Sequence, residues 1–105
     1  MNNFESKVVI VTGGAGGIGK ATCEAFINSK ATVLCVDNHK ERIEKFKSSY
    51  TSSNLFFFDL DITKEKNVTE FYQNVKSKFN GVDHLINNAG VATLNLCKDL
   101  SVEEW

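Results

Sequence analysis

The sequence has 105 residues, of which 42% are hydrophobic and 24% charged, a balance typical of one globular domain near the small end of the usual range. Its formal net charge of -1 excludes the strong positive field with which proteins bind nucleic acids or anionic membranes. No apolar run approaches the roughly 18 residues needed to span a bilayer, and the first residues do not resemble a secretory signal. We therefore expect a cytoplasmic protein that binds neither nucleic acid nor membrane.

The first predicted strand covers residues 7–12, a short apolar run rich in β-branched side chains, as in strands buried on both faces. The glycine-rich segment TGGAGGIG follows directly at residues 12–19. Helical spacing of apolar residues then predicts a helix over 17–30. We expect the buried stripe of this helix to consist of Ile18, Ala21, Ala25 and Phe26, extended by Cys23.

The same alternation continues to the end of the readable pattern. It predicts strands over 31–37, 54–61 and 82–87 and helices over 39–49 and 63–79. Strands that alternate with helices at this rhythm indicate an α/β fold with a parallel sheet and right-handed crossovers. The inward residues expected on the two later helices are Ile43 and Phe46, then Val68, Phe71, Tyr72, Val75 and Phe79.

The three cysteines, Cys23, Cys35 and Cys97, are far apart and have no paired Cys or His at metal-ligand spacing. This pattern predicts neither a disulfide framework nor a metal site. We expect Cys23 and Cys35 to pack as small buried side chains, with a reactive thiol as the alternative.

The glycine-rich segment suits a backbone that must approach a phosphate group closely. Main-chain N–H groups at a helix N-terminus bind a pyrophosphate only where no Cβ obstructs the approach. A purely structural turn between strand and helix is the alternative reading. The segment fits two spacings, G-x-G-x-x-G at Gly14, Gly16 and Gly19, and T-G-x-x-x-G-x-G at Thr12, Gly13, Gly17 and Gly19.

An acidic residue, Asp37, ends the second predicted strand, where dinucleotide-binding folds place a carboxylate on the adenosine ribose. Such a carboxylate accepts hydrogen bonds from the ribose hydroxyls and repels a 2′-phosphate, which favours NAD over NADP. Because neither Gly16 nor Asn38 is basic, we expect no cation for the extra phosphate. The alternative role for Asp37 is to cap the helix that begins near His39.

Together, TGGAGGIG, the strand-ending Asp37, D-I-T at residues 61–63 and NNAG at residues 87–90 resemble the short-chain dehydrogenase/reductase family of NAD(P)-dependent oxidoreductases. The resemblance covers essentially the whole chain. It implies a Rossmann-type doubly wound parallel sheet, of which the chain holds the first four strands in the order 3-2-1-4 with the intervening helices. In that order, a cofactor crevice opens between the first and fourth strands.

The resemblance also implies a role for each matching residue in binding NAD. The pyrophosphate would contact the glycine-rich loop, and the ribose would contact Asp37. The adenine edge would contact the D-I-T segment, and the far side of the dinucleotide would contact the NNAG segment. The implied cofactor-binding residues are Gly13, Gly17, Ile18, Gly19, Asp37, Asp61, Ile62, Asn88, Ala89 and Gly90.

Two other patterns favour simpler explanations than catalysis. Tyr72 and Lys76 match the family's catalytic Tyr-x-x-x-Lys, but they precede NNAG instead of following it, so we expect Tyr72 to be a packed aromatic. Asp59 and Asp61 would share one strand face, as in a paired-carboxylate hydrolase, but neighbours at one strand end are seldom held far enough apart for that chemistry. We expect Asp61 to contact adenine and Asp59 to serve the loop.

The family's catalytic serine and Tyr-x-x-x-Lys are not found at matching positions, and a capping-box pattern at Ser101 and Glu104 predicts a helix just beginning. We therefore expect residues 1–105 to be the NAD-binding part of a single Rossmann-fold domain, incomplete at its C-terminus and inactive alone. An open edge at the fourth strand would leave several apolar side chains exposed and make the chain prone to association.

The complete protein would act on a small alcohol or carbonyl substrate and form a homo-oligomer. The alternative is a short product that binds nucleotide without catalysis or associates with a partner. A methyltransferase that uses S-adenosylmethionine fits poorly, because Thr12 precedes the first glycine of the loop where those enzymes carry an acid, and because they lack NNAG.

Overall fold

A computed structural model describes residues 4–88 of the chain. These residues form four strands and three helices in the predicted order, and each element is up to three residues shorter than expected. The elements are β1 (Val8–Thr12), α1 (Gly17–Asn28), β2 (Thr32–Asp37), α2 (Lys40–Ser49), β3 (Leu55–Asp59), α3 (Glu65–Phe79) and β4 (His84–Asn87).

The four strands form one parallel sheet in the order β3-β2-β1-β4, which confirms the predicted fold and strand order. The central strand β1 pairs its last residue, Thr12, with Val36 on one side and Asn87 on the other. Asp37 at the end of β2 pairs with Asp59 at the end of β3. All four carboxyl ends therefore meet at one edge of the sheet, the edge where parallel sheets bind ligands.

Alternation along β1 divides the core into two layers. Val8 and Ile10 face the layer that α3 covers, whereas Val9 and Val11 face the layer that α1 and α2 cover. Every residue of β1 is buried, as expected for a strand with helices on both faces. The continuous apolar run in the sequence is the direct result of this double burial.

The buried face of α1 matches the prediction only in part, because Cys23 is buried and the half-buried Phe26 packs against the core. Ile18, Ala21 and Ala25 are exposed, whereas Gly19 and Cys23 are buried. Both sets fit a helical repeat, so spacing alone could not choose between them. Packing decides which set is buried, because Gly19 allows the first turn of α1 to lie directly on the preceding loop. This contact orients the helix so that Cys23 faces the sheet.

The other two helices bury the residues that their sequences indicate. Ile43 and Phe46 of α2 are 3% and 1% exposed, and the buried residues of α3 are Val68, Phe71 and Val75. The residues Tyr72 and Phe79 of α3 are half-buried. The last turn of α3 ends at Asn80 in the left-handed conformation, with φ of 65°, as is common at helix C-termini.

Exposed apolar surface is smaller than the sequence led us to expect. Within residues 4–88, Ile18 is the one large hydrophobic side chain that is exposed, and Leu85 and Ile86 of β4 are half-buried. Over the same residues, the helices are too short or too polar to cross a bilayer.

Candidate functional site

A cleft of about 600 Å³ opens at the carboxyl edge of the sheet, a volume within the usual range for small-molecule sites. Its walls come from the loop between β1 and α1, the end of β2, the start of α2 and the segment between β3 and α3. Eight of the ten residues that the sequence predicts to bind a dinucleotide line this cleft. They are Gly13, Gly17, Ile18, Gly19, Asp37, Asp61, Ile62 and Asn88. The other two, Ala89 and Gly90, lie outside the described residues.

The loop between β1 and α1 is tightly packed, and its glycines have different reasons to lack a side chain. Gly13 adopts a positive φ of 64°, which strains other residues. A Cβ on Gly14 would lie 2.7 Å from Sγ of Cys35 and 2.8 Å from the carbonyl oxygen of Val11, and a Cβ on Gly19 would lie 2.1 Å from the carbonyl oxygen of Gly13. The fold itself therefore requires small residues at these positions.

Gly17 differs from its neighbours because the fold does not require it to be glycine. A Cβ at this position would meet no atom within 4 Å, and Gly17 is exposed in the cleft at the first position of α1. The first turn of α1 has no side-chain cap and no acidic residue, so the N–H groups that a first turn leaves unpaired face the cleft with the positive end of the helix dipole. This arrangement attracts anions.

Two buried thiols support the loop from below. The thiol of Cys23 lies 3.7 Å from the carbonyl oxygen of Gly14, and both Cys23 and Cys35 are fully buried and free, which confirms their predicted role as packing residues. A hydrogen bond with Cys23, together with burial, raises the pKa of Cys35 well above its ordinary value. Cys35 therefore stays a neutral thiol, unsuited to act as a nucleophile. Cys97 lies outside the described residues.

The carboxylate of Asp37 is almost fully buried, with its side chain 1% exposed. One oxygen, Oδ2, accepts a hydrogen bond from the backbone N–H of Ala15 at 3.2 Å. The other, Oδ1, accepts from the backbone N–H of His39 at 2.9 Å and from Nη2 of Arg42 at 3.0 Å. His39, not Asp37, occupies the N-cap position of α2, and its Nδ1 accepts from the backbone N–H of Arg42. Asp37 thus joins the glycine loop to the start of α2.

From Gly16 and Asn38 we expected no cation for a 2′-phosphate, but the structure places a guanidinium against Asp37. Arg42, the only arginine of the sequence, lines the cleft and reaches from Asp37 toward Gly16, where a Cβ would lie 3.8 Å from its Nη1. The residues directly beside the loop and the strand end, Gly16 and Asn38, gave no hint of this. The available signal was the position of Arg42 in the first turn of a helix that starts at the sheet edge.

The segment after β3 places Asp61 in the cleft without a second carboxylate beside it. β3 ends at Asp59, so Asp61 lies in the following turn and the two acids do not share a strand face as the sequence suggested. Asp59 instead lines a separate depression against α3, with Phe58 and Phe71. The hydroxyl and backbone N–H of Thr63 both donate to Oδ1 of Asp61 and lower the pKa of this carboxyl, which keeps it ionised.

The end of β4 is held against β1 through a buried hydroxyl. Thr12 donates its hydroxyl proton to the carbonyl oxygen of Ile86 at 3.3 Å. The backbone N–H of Asn88 lies 3.3 Å from the Thr12 hydroxyl oxygen and 3.2 Å from the Thr12 carbonyl oxygen. These contacts fix the main chain of Asn88 at the far wall of the cleft. Tyr72 and Lys76, by contrast, belong to α3 and do not line the cleft that the described residues form.

A parallel sheet with a glycine loop at its carboxyl edge and a buried acid at the end of β2 defines a Rossmann-type fold, and comparison with known proteins identifies the family. The chain belongs to the short chain dehydrogenase family, whose profile matches residues 7–105. This confirms the resemblance noted in the sequence.

Individual relatives show how much of such a protein the chain represents. It is 37% identical over 103 residues to the NAD-dependent glycerol dehydrogenase of Listeria innocua, covering 98% of this chain and 40% of that protein. Its fold matches a short-chain dehydrogenase/reductase from Brucella melitensis with a TM-score of 0.82 at 23% identity, over 94% of this chain and 52% of that one. It also matches an NAD+-bound xylitol dehydrogenase with a TM-score of 0.82 at 23% identity, over 92% of this chain and 47% of that one. The chain therefore spans about half the length of these proteins or less.

Proposed function

We propose that the cleft binds NAD and that the chain is the cofactor-binding part of an NAD-dependent oxidoreductase. One observation carries the proposal. The loop that suits a pyrophosphate and the acid that suits a ribose are joined directly, because the N–H of Ala15 donates to Oδ2 of Asp37 at 3.2 Å. Both groups line the same cleft, so a single dinucleotide can contact them together.

The pyrophosphate would lie on the main chain of the loop, against Gly13, Gly17, Ile18 and Gly19. The empty space at Gly17 supports this position, since nothing in the fold fills the volume of its missing side chain. The positive end of α1, free of acidic residues in its first turn, would stabilise the phosphate charge.

The adenosine would lie at the opposite end of the cleft. Oδ2 of Asp37 accepts a hydrogen bond from the backbone N–H of Ala15, and a carboxylate oxygen accommodates a second donor such as a ribose hydroxyl. Asp61 and the backbone of Ile62 would contact the adenine edge. Asn88, held in place by Thr12, would contact the far side of the dinucleotide, together with Ala89 and Gly90.

Bound NAD(H) would supply or accept the hydride, and the residues of this chain would bind and orient it. The ionisable side chains among the described cleft residues are Asp37, Arg42 and Asp61, and each has a partner. We therefore propose that the acid–base group lies outside residues 4–88 and that residues 1–105 alone bind cofactor without turnover.

The names of relatives support this reaction class at a coarse level. A glycerol dehydrogenase described as NAD-dependent and a xylitol dehydrogenase described as NAD+-bound both suggest a nicotinamide cofactor and a small alcohol or carbonyl substrate. We propose the same for the complete protein, as a cytoplasmic homo-oligomer.

Calorimetric titration of the purified protein with NADH tests the proposal. We expect saturable binding, and we expect Gly17→Ala to weaken it about tenfold or more, because the added methyl group would occupy the space proposed for the pyrophosphate. The matched control is Ala25→Ser, which also adds one heavy atom to α1 but at an exposed position outside the cleft. Absence of NADH binding by the unaltered protein, or equal affinities of the protein and its Gly17→Ala variant, would refute the proposal.

A further inference from the structure

We propose that the outer edge of β3 is a self-association surface, which pairs in antiparallel orientation with the same edge of a second copy of this chain. The pair is centred on Phe57 and has twofold symmetry. It does not depend on cofactor binding, because β3 is the last strand on its side of the described sheet and Phe57 does not line the cleft.

The first argument is the direction of the backbone groups of β3. The carbonyl oxygen of Asn54 accepts from the N–H of Val33, and the N–H of Leu60 donates to the end of β2, so even-numbered residues here point to β2. Because backbone groups alternate between the two sides of a strand, those of Phe57 and Asp59 point away from β2. Among the described residues, β2 is the one strand that pairs with β3, so these groups form an unpaired edge.

The second argument is that this edge is complementary to itself. In antiparallel strands, residues directly opposite each other can exchange both N–H···O bonds. With Phe57 opposite Phe57 of the second copy, Asp59 lies opposite Leu55, and its N–H donates to the Leu55 carbonyl oxygen. The N–H of Leu55 itself donates to the carbonyl oxygen of Ser52 at 3.3 Å. Each outward N–H of β3 then has an acceptor.

The third argument is the apolar surface along the same edge. Phe56, Phe57 and Phe58 are half-buried, whereas every residue of the central strand β1 is buried. Phe56 and Phe58 face the layer of α3, and Phe57 faces the layer of α2. The antiparallel pair places Phe56 beside Phe58 of the second copy and covers part of both rings. Cross-strand aromatic pairs of this kind stabilise sheets.

The fourth argument is the charge on α3. Lys78, near the C-terminal end of this helix, lies 5.7 Å from the ring centroid of Phe56, and Glu70 lines the depression beside Phe58. Both side chains are exposed, and neither makes an ion pair within residues 4–88. Because Phe56 lies opposite Phe58 of the second copy, Lys78 of each copy is brought to the depression that holds Glu70 of the other.

Lysines near a free edge can also oppose strand pairing, and Lys47 lies 5.6 Å from the ring centroid of Phe57. Its charge is balanced within the chain, since its Nζ lies 3.7 Å from a carboxylate oxygen of Glu44. Lys78 is the cation left to be neutralised, and the antiparallel pair supplies the acid. A monomer that these lysines keep apart is the opposite outcome of the test.

Sedimentation equilibrium of the purified protein and its Glu70→Lys, Lys78→Glu and doubly reversed variants tests the charge match. We expect the unaltered protein to dimerise. We expect each single reversal to weaken the dimer about tenfold, because an attraction that occurs at both ends of a twofold interface becomes a repulsion, and we expect the double reversal to restore it. The matched control is Lys76→Glu, which makes the same charge change at another exposed position in the last turn of α3.

Hydrogen exchange reports on the strand edge directly. We expect the outward amide of Phe57 to exchange more slowly as protein concentration rises, while the amide of Phe56, which points to β2, stays protected at every concentration. This measurement needs no substitution, so it decides the question even if thermal melts show a variant to be unfolded.

The inference fails if the protein stays monomeric at its highest soluble concentration, or if it associates while the Phe57 amide still exchanges freely. It also fails if folded single reversals leave the dimer unchanged, if Lys76→Glu weakens it equally, or if the folded double reversal does not recover it. Titration with NADH separates this inference from the proposed function, since Lys78→Glu should leave NADH affinity unchanged because Lys78 does not line the cleft.

Discussion

Replacing Gly19 by alanine is expected to damage the fold, because this glycine lies where α1 contacts the loop. The added Cβ would be 2.1 Å from the carbonyl oxygen of Gly13, 2.7 Å from the Cα of Gly14 and 2.9 Å from the carbonyl carbon of Gly13. All three are backbone atoms, so no side-chain rotation can relieve the contact. Since real Cβ atoms essentially never approach closer than 3.0 Å, the helix and the loop must separate by about 0.9 Å.

The magnitude follows from the cost of overpacking. Extra methylenes in a well-packed core cost about 1 to 3 kcal/mol, and a clash with backbone belongs at the upper end. We expect Gly19→Ala to lower the free energy of unfolding by about 3 kcal/mol, a large part of the 5 to 15 kcal/mol typical of a domain. Urea unfolding followed by circular dichroism measures this loss as a lower midpoint.

Gly17→Ala is the matched comparison in the same helix. Its Cβ would meet nothing within 4 Å, and alanine in a helix is favoured over glycine by roughly 0.5 to 1 kcal/mol. We expect this variant to be as stable as the unaltered protein or more so, while losing affinity for NADH. Equal stability of the two variants would show that the close contact between Gly19 and Gly13 does not restrict the size of the side chain at position 19.

Two further predictions concern the buried polar groups. Thr12→Val should lower the free energy of unfolding by about 1 to 3 kcal/mol and speed hydrogen exchange of the Asn88 amide. Thr12→Ser, which keeps the hydroxyl, should leave that amide protected. Equal exchange rates in the two variants would contradict the role of the hydroxyl. The raised pKa of Cys35 means that the folded state keeps a proton that the unfolded chain releases above about pH 8.5. The free energy of unfolding should therefore fall as pH rises, with a slope approaching about 1.4 kcal/mol per pH unit. Cys35→Ala should remove that part of the slope in urea unfolding between about pH 8 and pH 10, and an unchanged slope would refute the assignment.

The architecture could be read from the sequence because each element carries its own signal. The strands β1 and β2 lie between two helical layers and appear as unbroken apolar runs, and α3 shows the spacing of Val68, Phe71 and Val75 that its buried face requires. Strand order followed from the resemblance to a known family and not from periodicity. The remaining errors are small and lie at the element ends. They arise because caps depend on backbone geometry that apolar spacing does not reveal.

The parts of the site that the sequence did not predict depend on tertiary contacts. Ile18, Ala21 and Ala25 were wrongly placed on the buried face of α1, because the alanines are too small to decide the packing, whereas the contact of Gly19 with the loop decides it. Arg42 was missed because its approach to Asp37 depends on where α2 starts relative to the sheet. The separation of Asp59 from Asp61 depends on the chain leaving the strand early and crossing the end of β2, where the N–H of Leu60 donates to the carbonyl oxygen of Asp37.

The central position of β1 has a consequence for biosynthesis. This strand is translated before the other three described strands, yet its neighbour on one side is β4, and the bond between the N–H of Val8 and the carboxylate of Asp83 joins residues 75 apart. At ordinary ribosomal rates of about 5 to 20 residues per second, that interval lasts roughly 4 to 15 s. During that interval β1 can pair with β2 but not with β4. A nascent chain therefore presents a strongly apolar strand with one long-lived unpaired edge, which makes the emerging polypeptide a natural client for chaperones.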